Sequence, residues 1–376
     1  MKKLHYEASG DNYKFKDPFK VIALKASGKT KKNLKRFRKY GIEISDVSES
    51  RGDSAYRINV VLNKVNSFQF AHVEESIGTK NVIADELAKL YKKSFYYNSA
   101  IDNAACIFND LSTSGAFPLT FMLHVAAYPN EWYADLKRWQ GLIDGTVEAC
   151  NLAGAAWGGG ESATDRDIIV DGKSLLSGSA TGIIFPPSRV LSEEKLEEGD
   201  RIVLLESSGV HANGITLLRR ELLQRLPKGY KTKLSDGTTY GEALITPTII
   251  YSKVVEEVVI NSLAHYAVHI TGHGWRKIMR AKKPFTYVLE KITTPQSIFE
   301  TIQKYSGSSQ KEMYDTYNMG AGFALFVPEK QVKTVINIAR KNKIKALDAG
   351  YIKKGPKQVV INPLGVTFSA DDLNIR

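Results

Sequence analysis

Five polar, glycine-bearing turns break up the apolar runs of this chain, and they limit its fold more than any other feature. They are "HVEESIGTKN" (72–81), "IDNAACIFNDLSTSGAFP" (101–118), "WGGGESATD" (157–165), "SSGVHANG" (207–214) and "HITGHGW" (269–275). Runs with strand character lead into these turns, and runs with helical spacing follow most of them. "YRINVVL", "SFQFAHV", "LTFMLHVAAY", "LLSGSATGIIF", "RIVLLES", "YAVHITGHG" and "FALFVP" alternate or cluster β-branched and aromatic residues, as strands do. "NVIADELAKLYKK" (81–93), "AIDNAACIFNDLSTS" (100–114) and "NGITLLRRELLQRL" have helical spacing. "EWYADLKRWQGLIDGTVEACNLAG" reads as one long helix stopped at Gly154, and "TPTIIYSKVVEEVVINSLAH" as a helix opened by Thr246-Pro247. "AAWGGGES" reads as a strand running into a glycine loop, and the chain closes on a helix after "FALFVP". Strands and helices in near alternation predict mixed α/β or α+β domains.

Length and charge set the outer bounds. A chain of 376 residues suggests two domains or one large one. The acidic, turn-rich "PPSRVLSEEKLEEGD" (186–200) is the expected boundary. The expected parts are a basic N-terminal arm (1–55), a first domain (56–186) and a second (187–376). "GKTKKNLKRFRK" (28–39) gives the arm its charge and reads as a solvated segment. A net charge of +12 favours anionic partners: phosphorylated metabolites, nucleotides, nucleic acid or acidic membrane. The longest strongly apolar run, 117–128, is too short to span a bilayer. No apolar run follows the basic start, so a soluble, cytoplasmic protein is expected. The two cysteines, Cys106 and Cys150, make no metal knuckle or disulfide framework.

The turns carry the candidate chemistry. Gly78 permits a tight turn, and Thr79 and Lys80 then open a helix whose free N–H groups suit an anion. Lys80 adds a mobile cation there, and Glu74 and Glu75 could hold a divalent metal that bridges phosphates. A solvated turn capped by Thr79 is the alternative. In the second segment Asp102 and Asn109 are seven apart and share a helix face, while Asp110 is turned about 100° from Asn109. Carboxylates among apolar residues need a partner or a metal, which points to magnesium; surface acids or caps are the alternative. Gly159 and Gly160 remove side chains where something must approach, and Glu161 supplies an acceptor. His211 with Asn213, and His269 with Thr271 and Gly272, place imidazole, amide and hydroxyl groups at strand ends. Any one of them could be structural.

"SSGVHANGITLLRR", "HITGHGWRKIMR" and "EMYDTYNMGAGFALFVP" resemble the signature segments of the aminoimidazole ribonucleotide synthetase family, the phosphoribosylformylglycinamidine cyclo-ligases. "IGTK", "IDNAACIFNDLSTSGAFP" and "GGES" fit that family in the same order, and "YEASGDNY" echoes it near the N-terminus. The resemblance implies a two-domain α+β enzyme of purine biosynthesis that uses ATP and Mg²⁺. It implies a homodimer whose N-terminal sheets pair into a barrel, and a phosphorylated small-molecule substrate. It places Glu75, Asp110 and Glu161 as metal ligands. Gly78, Thr79, Lys80, Asp102, Asn109, Gly159, Gly160, Asn213, Thr271 and Gly272 become nucleotide- and substrate-binding residues. His211, His269 and an N-terminal lysine, Lys25, are the catalytic candidates. Three departures stand out: "VEESI" replaces the usual threonine-aspartate-glycine-valine, His273 stands where glycine is usual, and "ATDRDI" follows "GGES". An ATP-dependent phosphotransferase of the same superfamily, acting on another phosphorylated metabolite, is the second reading. A nucleic-acid binder working through "KKNLKRFRK" is a third, and it lacks a recognisable binding motif. No membrane partner is expected.

Overall fold

A computed structural model describes residues 13–51, 56–64 and 66–373. Residues 6–12 of the "YEASGDNY" stretch lie outside them. The chain forms two compact units, Met1–Leu111 with Pro118–Pro186, and Ser112–Phe117 with Pro187–Arg376.

The first unit opens on helix α1 (Tyr13–Ser27) and a 3₁₀ helix, Gly28–Tyr40. This second helix is the basic segment expected as a solvated arm, and the structure corrects that expectation. Leu34, Phe37 and Tyr40 recur every third residue, the period of a 3₁₀ helix, so they share one face. Leu34 and Phe37 are buried, and Phe37 and Tyr40 pack against Phe185 at 6.2 and 5.3 Å between ring centroids. Arg36 turns inward as well, donating to the carbonyls of Gly154 (2.8 Å) and Pro118 (2.6 Å). A two-stranded antiparallel ribbon follows, β1 (Ile42–Asp46) with β2 (Ile58–Leu62).

The main sheet of this unit has four strands in the order β3-β6-β4-β5. They are β3 (Gln69–Ser76), β4 (Phe117–Tyr128), β5 (Ala156–Thr164) and β6 (Lys173–Ile184). β3 runs antiparallel to β6, and β4 parallel to β5. Helices α2 (Lys80–Tyr91) and α3 (Tyr96–Ser112) pack on the sheet. Phe108 of α3 meets Phe121 of β4 at 5.4 Å, Asn103 donates to the Ser177 carbonyl, and Asn81 of α2 donates to the Ser174 carbonyl. The helix expected across 131–154 is broken at Asp135. A short turn, Asn130–Ala134, precedes α4 (Leu136–Ala153), and the Asp135 carboxylate accepts the Arg138 N–H at 3.0 Å as an N-cap. Gly154 ends α4 in the left-handed conformation, as expected.

The three glycines are the main local surprise. Gly158–Gly160 do not form a loop; they lie inside β5. A Cβ on Gly160 would stand 1.7 Å from the Leu123 carbonyl oxygen. The glycine therefore serves close strand approach, beside a register shift between Phe121 and Met122.

The second unit holds a seven-stranded sheet in the order β13-β12-β9-β11-β7-β10-β8. Its strands are β7 (Arg201–Glu206), β8 (Tyr266–His269), β9 (Phe285–Leu289), β10 (Ala321–Val327), β11 (Ala346–Lys354), β12 (Gln358–Ile361) and β13 (Val366–Ser369). All neighbours are antiparallel except β9 and β12. The closing helix is present at Val332–Lys341, but three strands follow it. The helix expected from Thr246-Pro247 runs only from Ser252 to Ile260. Residues 246–251 stay irregular, because proline disfavours helix in the residue before it and the loop captures the segment. Ser208 Oγ donates to the Pro247 carbonyl, and the Tyr251 hydroxyl to the Glu206 carbonyl at 2.7 Å. Among the described residues no helix is long and apolar enough to cross a membrane.

Candidate active site

The first unit gathers four of the predicted residues around one thiol. Gly78, at φ +68°, turns the chain from β3 into α2, a backbone conformation that glycine adopts without strain. Two residues on, Lys80 enters the core instead of standing at the surface as a mobile cation. Its side chain is fully buried, and its Nζ lies 2.8 Å from each carboxylate oxygen of Asp102, which is buried too. A lone ammonium could not be buried this way without a large desolvation cost; paired with a carboxylate, it can. Asp102, Cys106 and Asp110 follow one another at four-residue steps along α3, so Cys106 projects between the two carboxylates. Burial raises the Cys106 thiol above its ordinary value. The charges of Asp102 and Asp110 add to the rise, Lys80 opposes it, and Glu75 adds a smaller push. All four charged groups therefore act on the same spot. Asn109 is fully buried and Asp110 only partly.

Charge decides what this cluster can hold. Lys80 cancels Asp102, and Glu75 and Asp110 leave an excess of negative charge. A polyphosphate would be repelled there unless a divalent cation came with it. Among the described residues no three His, Cys, Asp or Glu side chains are placed to hold a metal by themselves. Two hard carboxylate donors completed by phosphate oxygens is the arrangement magnesium favours. Glu75 and Asp110 are carboxylates of that type, and both act electrostatically on Cys106.

Glu161 stands apart. It lies opposite His124 in the β4–β5 pairing. His124 Nδ1 bonds to Ser177 Oγ at 2.8 Å, and Ser177 lies opposite Ser76. Strand alternation therefore puts Glu161 on the sheet face of Ser76, and Glu75 on the other. The Glu161 carboxylate accepts its neighbour's N–H, from Ser162, at 2.7 Å.

Gly159, Gly160 and Glu161 instead line a cavity of about 390 Å³ between β5 and α1. The N-terminal lysine on that cavity is Lys20, whereas Lys25 is exposed and does not line it. The signal was present in the sequence. Lys20, Ala23, Leu24 and Ser27 have the i, i+3, i+4, i+7 spacing of one helix face, and Lys25 falls off it. Arg51, Tyr56 and Trp157 gave no such signal, because their partners are far along the chain.

The second unit joins the two histidine turns. Asn213 Oδ1 accepts the Gly272 N–H at 2.9 Å, so the 207–214 and 269–275 segments meet. The amide oxygen expected to face a ligand is thus engaged in holding one loop to the other. His211 is buried in the left-handed conformation, φ +56°, and its Nε2 accepts the Ser208 N–H at 3.2 Å. That bond assigns the ring proton of a neutral imidazole to Nδ1. His269, at the end of β8, is buried against Phe323. Thr271 Oγ1 bonds to Lys277 Nζ.

The hub of this region is a residue the sequence did not single out. Buried Asn318 accepts from Ser207 Oγ (2.8 Å) and the Gly320 N–H (3.1 Å), donates to the Gly209 carbonyl (2.8 Å), and takes Trp275 Nε1–H on its own carbonyl (2.7 Å). Behind the first turn, a helix over 215–225 carries a π-helical stretch, Leu218–Leu222.

Comparison with known proteins places this arrangement. The family description "AIR synthase related protein, N-terminal domain" matches residues 71–184, and its C-terminal counterpart matches 197–362. The phosphoribosylformylglycinamidine cyclo-ligase of Carboxydothermus hydrogenoformans is 33% identical over 294 residues, 77% of this chain and 82% of its own. That of Methanocaldococcus jannaschii is 33% identical over 287 residues, 74% of this chain and 76% of its own. The chain belongs to the phosphoribosylformylglycinamidine cyclo-ligase family. The cyclo-ligase fold extends to solved structures. Thiamine-monophosphate kinase from Stenotrophomonas maltophilia matches with a TM-score of 0.57 at 16% identity, over 82% of this chain and 89% of that one. The hydrogenase maturation protein HypE in complex with ATP matches with a TM-score of 0.54 at 15% identity, over 84% of this chain and 87% of that one. At such identities the likeness shows the fold alone. The two family-domain matches span Glu75, Lys80, Asp102, Asp110 and Glu161 in the first unit, and His211, Asn213 and His269 in the second. Residues 13–70 precede both.

Proposed function

We infer that this chain is an ATP-dependent cyclo-ligase of purine biosynthesis. It transfers the γ-phosphoryl group of ATP to the formyl oxygen of formylglycinamidine ribonucleotide. The amidine nitrogen then closes the ring, and phosphate leaves to give aminoimidazole ribonucleotide. The observation that carries this reading is identity of 31–33% to cyclo-ligases over about three quarters of the chain.

An amide oxygen is a poor leaving group, and phosphorylation makes it a good one. The protein's task is then to neutralise phosphate charge and hold the reacting atoms in line. The turn at Gly78 and Thr79 presents the N-terminus of α2, twelve residues long, to phosphate oxygens. Glu75 and Asp110 would hold Mg²⁺ beside those oxygens. The ion, when bound, offsets the charge of the transferring phosphoryl group. The Lys80–Asp102 pair fixes the start of α2 against α3, so that Asp110 and the helix end keep their spacing. In the second unit the linked turns meet the reacting end of the substrate, with the Thr271 hydroxyl as a donor. His211 and Asn213 hold those turns in shape. His269 is the imidazole assigned to proton handling when the amidine closes the ring.

We take the enzyme to be a cytoplasmic homodimer. Outer strand β3 supports pairing between copies: among the described residues no strand pairs with its outer edge, and its Phe70 is 56% exposed. The test of function is direct. Purified protein with formylglycinamidine ribonucleotide, ATP and magnesium should yield ADP, phosphate and the imidazole product by mass spectrometry. ATP turnover confined to a different phosphorylated substrate would overturn the assignment.

A further inference from the structure

The chain ahead of residue 71 lies outside the family match, yet it builds one wall of the cavity over β5. α1 supplies Lys20 and Ser27 to that wall, and Tyr56 supplies its ring. The facing wall is β5 at Gly158–Glu161. Tyr56 can lie there only because residue 158 is glycine: a Cβ would stand 2.5 Å from Tyr56 Cδ1 and 2.9 Å from Met122 Sδ.

Arg51 fixes this wall. Its Nε donates to Asp46 Oδ1 at 2.9 Å, and its Nη2 to the Tyr56 hydroxyl at 3.2 Å. Its Nη1 donates both to Ser27 Oγ (2.9 Å) and to the Trp157 carbonyl (3.0 Å). The Tyr56 hydroxyl in turn donates to Asp46 Oδ1 at 2.8 Å. One planar guanidinium therefore ties β1, the end of α1, Tyr56 and β5 together, which the single ammonium of a lysine could not do. The Arg51 and Asp46 side chains are only 8% and 5% exposed. Burial pushes the Asp46 carboxyl up. Hydrogen bonds from Ser48, Arg51 and Tyr56, with the Arg51 charge, outweigh that and hold it below its ordinary value.

The cavity these groups shape has ligand-site character. Its volume is in the range of small-molecule sites. Phe19, Met122 and Trp157 give it apolar surface, and Lys20 and Glu161 give it one cation and one carboxylate. That suits a ribonucleotide: an apolar slot, a partner for phosphate, and an acceptor for ribose hydroxyls. Resting on the cyclo-ligase reading, we propose that Arg51 is a positioning residue. Through the Trp157 carbonyl and the Tyr56 hydroxyl it sets the shape of the α1–β5 cavity, which holds one of the reaction's two ribonucleotides.

The test is a KM-against-kcat split in the full-length enzyme. Arg51→Met should raise KM for one ribonucleotide roughly 10-fold or more while kcat moves far less. Arg51→Lys should give a smaller rise. Gly158→Ala, which displaces the Tyr56 ring and touches no charge, should raise the same KM. Separate titrations of ATP and of formylglycinamidine ribonucleotide identify which one the cavity takes. Should Arg51→Met fail to fold, Tyr56→Phe and Gly158→Ala decide. Folded variants with both KM values unchanged, or with losses in kcat alone, overturn the proposal. If the wild type makes no imidazole product, the cyclo-ligase reading fails on its own. Equilibrium binding of ATP and of formylglycinamidine ribonucleotide then tests the cavity. Binding to wild type that weakens in Gly158→Ala supports it, and no binding, or equal binding, refutes it.

Discussion

The buried Lys80–Asp102 pair lets stability and function be separated by experiment. Both side chains are fully buried, with Nζ 2.8 Å from each carboxylate oxygen. Lys80→Met keeps the length of the side chain and removes its charge, which strands the Asp102 carboxylate in the core. Breaking such a pair on one side costs about 3–5 kcal/mol, because the remaining ion keeps its desolvation penalty without its partner. At about 2–4 °C per kcal/mol for a unit of this size, the melting temperature should fall by roughly 6–20 °C. The double variant Lys80→Met/Asp102→Leu removes both charges and should cost less than Lys80→Met alone.

Denaturation followed by tryptophan fluorescence is well suited to this measurement. Of the four tryptophans, Trp132, Trp139 and Trp157 lie in the first unit, so the signal reports mainly on the unit that holds the pair. If the pair also sets the phosphate-binding end of α2, the double variant should recover stability without recovering turnover. A cost below about 1 kcal/mol for Lys80→Met, or a double variant as unstable as the sum of the singles, would refute the reasoning.

Asp110→Asn should leave the denaturation midpoint nearly unchanged and lower magnesium-dependent turnover by at least roughly 100-fold; full activity would remove Asp110 from the site. His273, at φ +72° with its side chain exposed, holds a left-handed conformation that strains any residue bearing a Cβ. His273→Gly should therefore stabilise the second unit by about 0.5–1 kcal/mol in urea titrations, and a loss of stability would show that the imidazole makes compensating contacts. Asp46 is held below its ordinary value of 3.8 in the folded state. Its contribution is thus fully present above that value and is lost as pH falls below it. Asp46→Asn should flatten the decline in stability below about pH 4, and parallel acid curves for variant and wild type would contradict the assignment.

Patterns that are local in the chain were legible in the sequence, and those set by distant partners were not. β3, β4 and β6 show in their alternation, and Gly154 marks the end of α4 because a left-handed cap is a local demand. β11 and β12 were missed because "YIKKGPKQVVINPLG" is polar and broken by Gly355 and Pro356, which hides the alternation of the strands on either side, and β13 is only four residues long. Gly158–Gly160 read as a loop because glycine weakens strand propensity, while the reason for Gly160 is a carbonyl 37 residues earlier, at Leu123. Lys80 read as a surface cation because lysine at a helix start normally is one; its partner sits on the next helix. The turns themselves were legible in the sequence. Their grouping was not visible: Glu75 with Asp110 but not with Glu161, and Asn213 bound to Gly272.

The same grouping resolves a tension between composition and site. A net charge of +12 suggests that the protein attracts phosphates by its own positive charge. Around Cys106 the balance is the reverse, because Lys80 is cancelled by Asp102 while Glu75 and Asp110 remain. Much of the basic excess lies elsewhere, in places such as the Gly28–Tyr40 helix, where Arg36 holds backbone carbonyls. The long-range field can draw a polyanion towards the molecule, but it cannot hold one against two local carboxylates. On the proposed function, attraction and retention come from different groups: basic side chains set the rate of encounter, and a divalent cation on Glu75 and Asp110 would set the affinity. On this reasoning Glu75, where the family resemblance leads one to expect aspartate, matters for how the ion is held rather than for whether a nucleotide is drawn in.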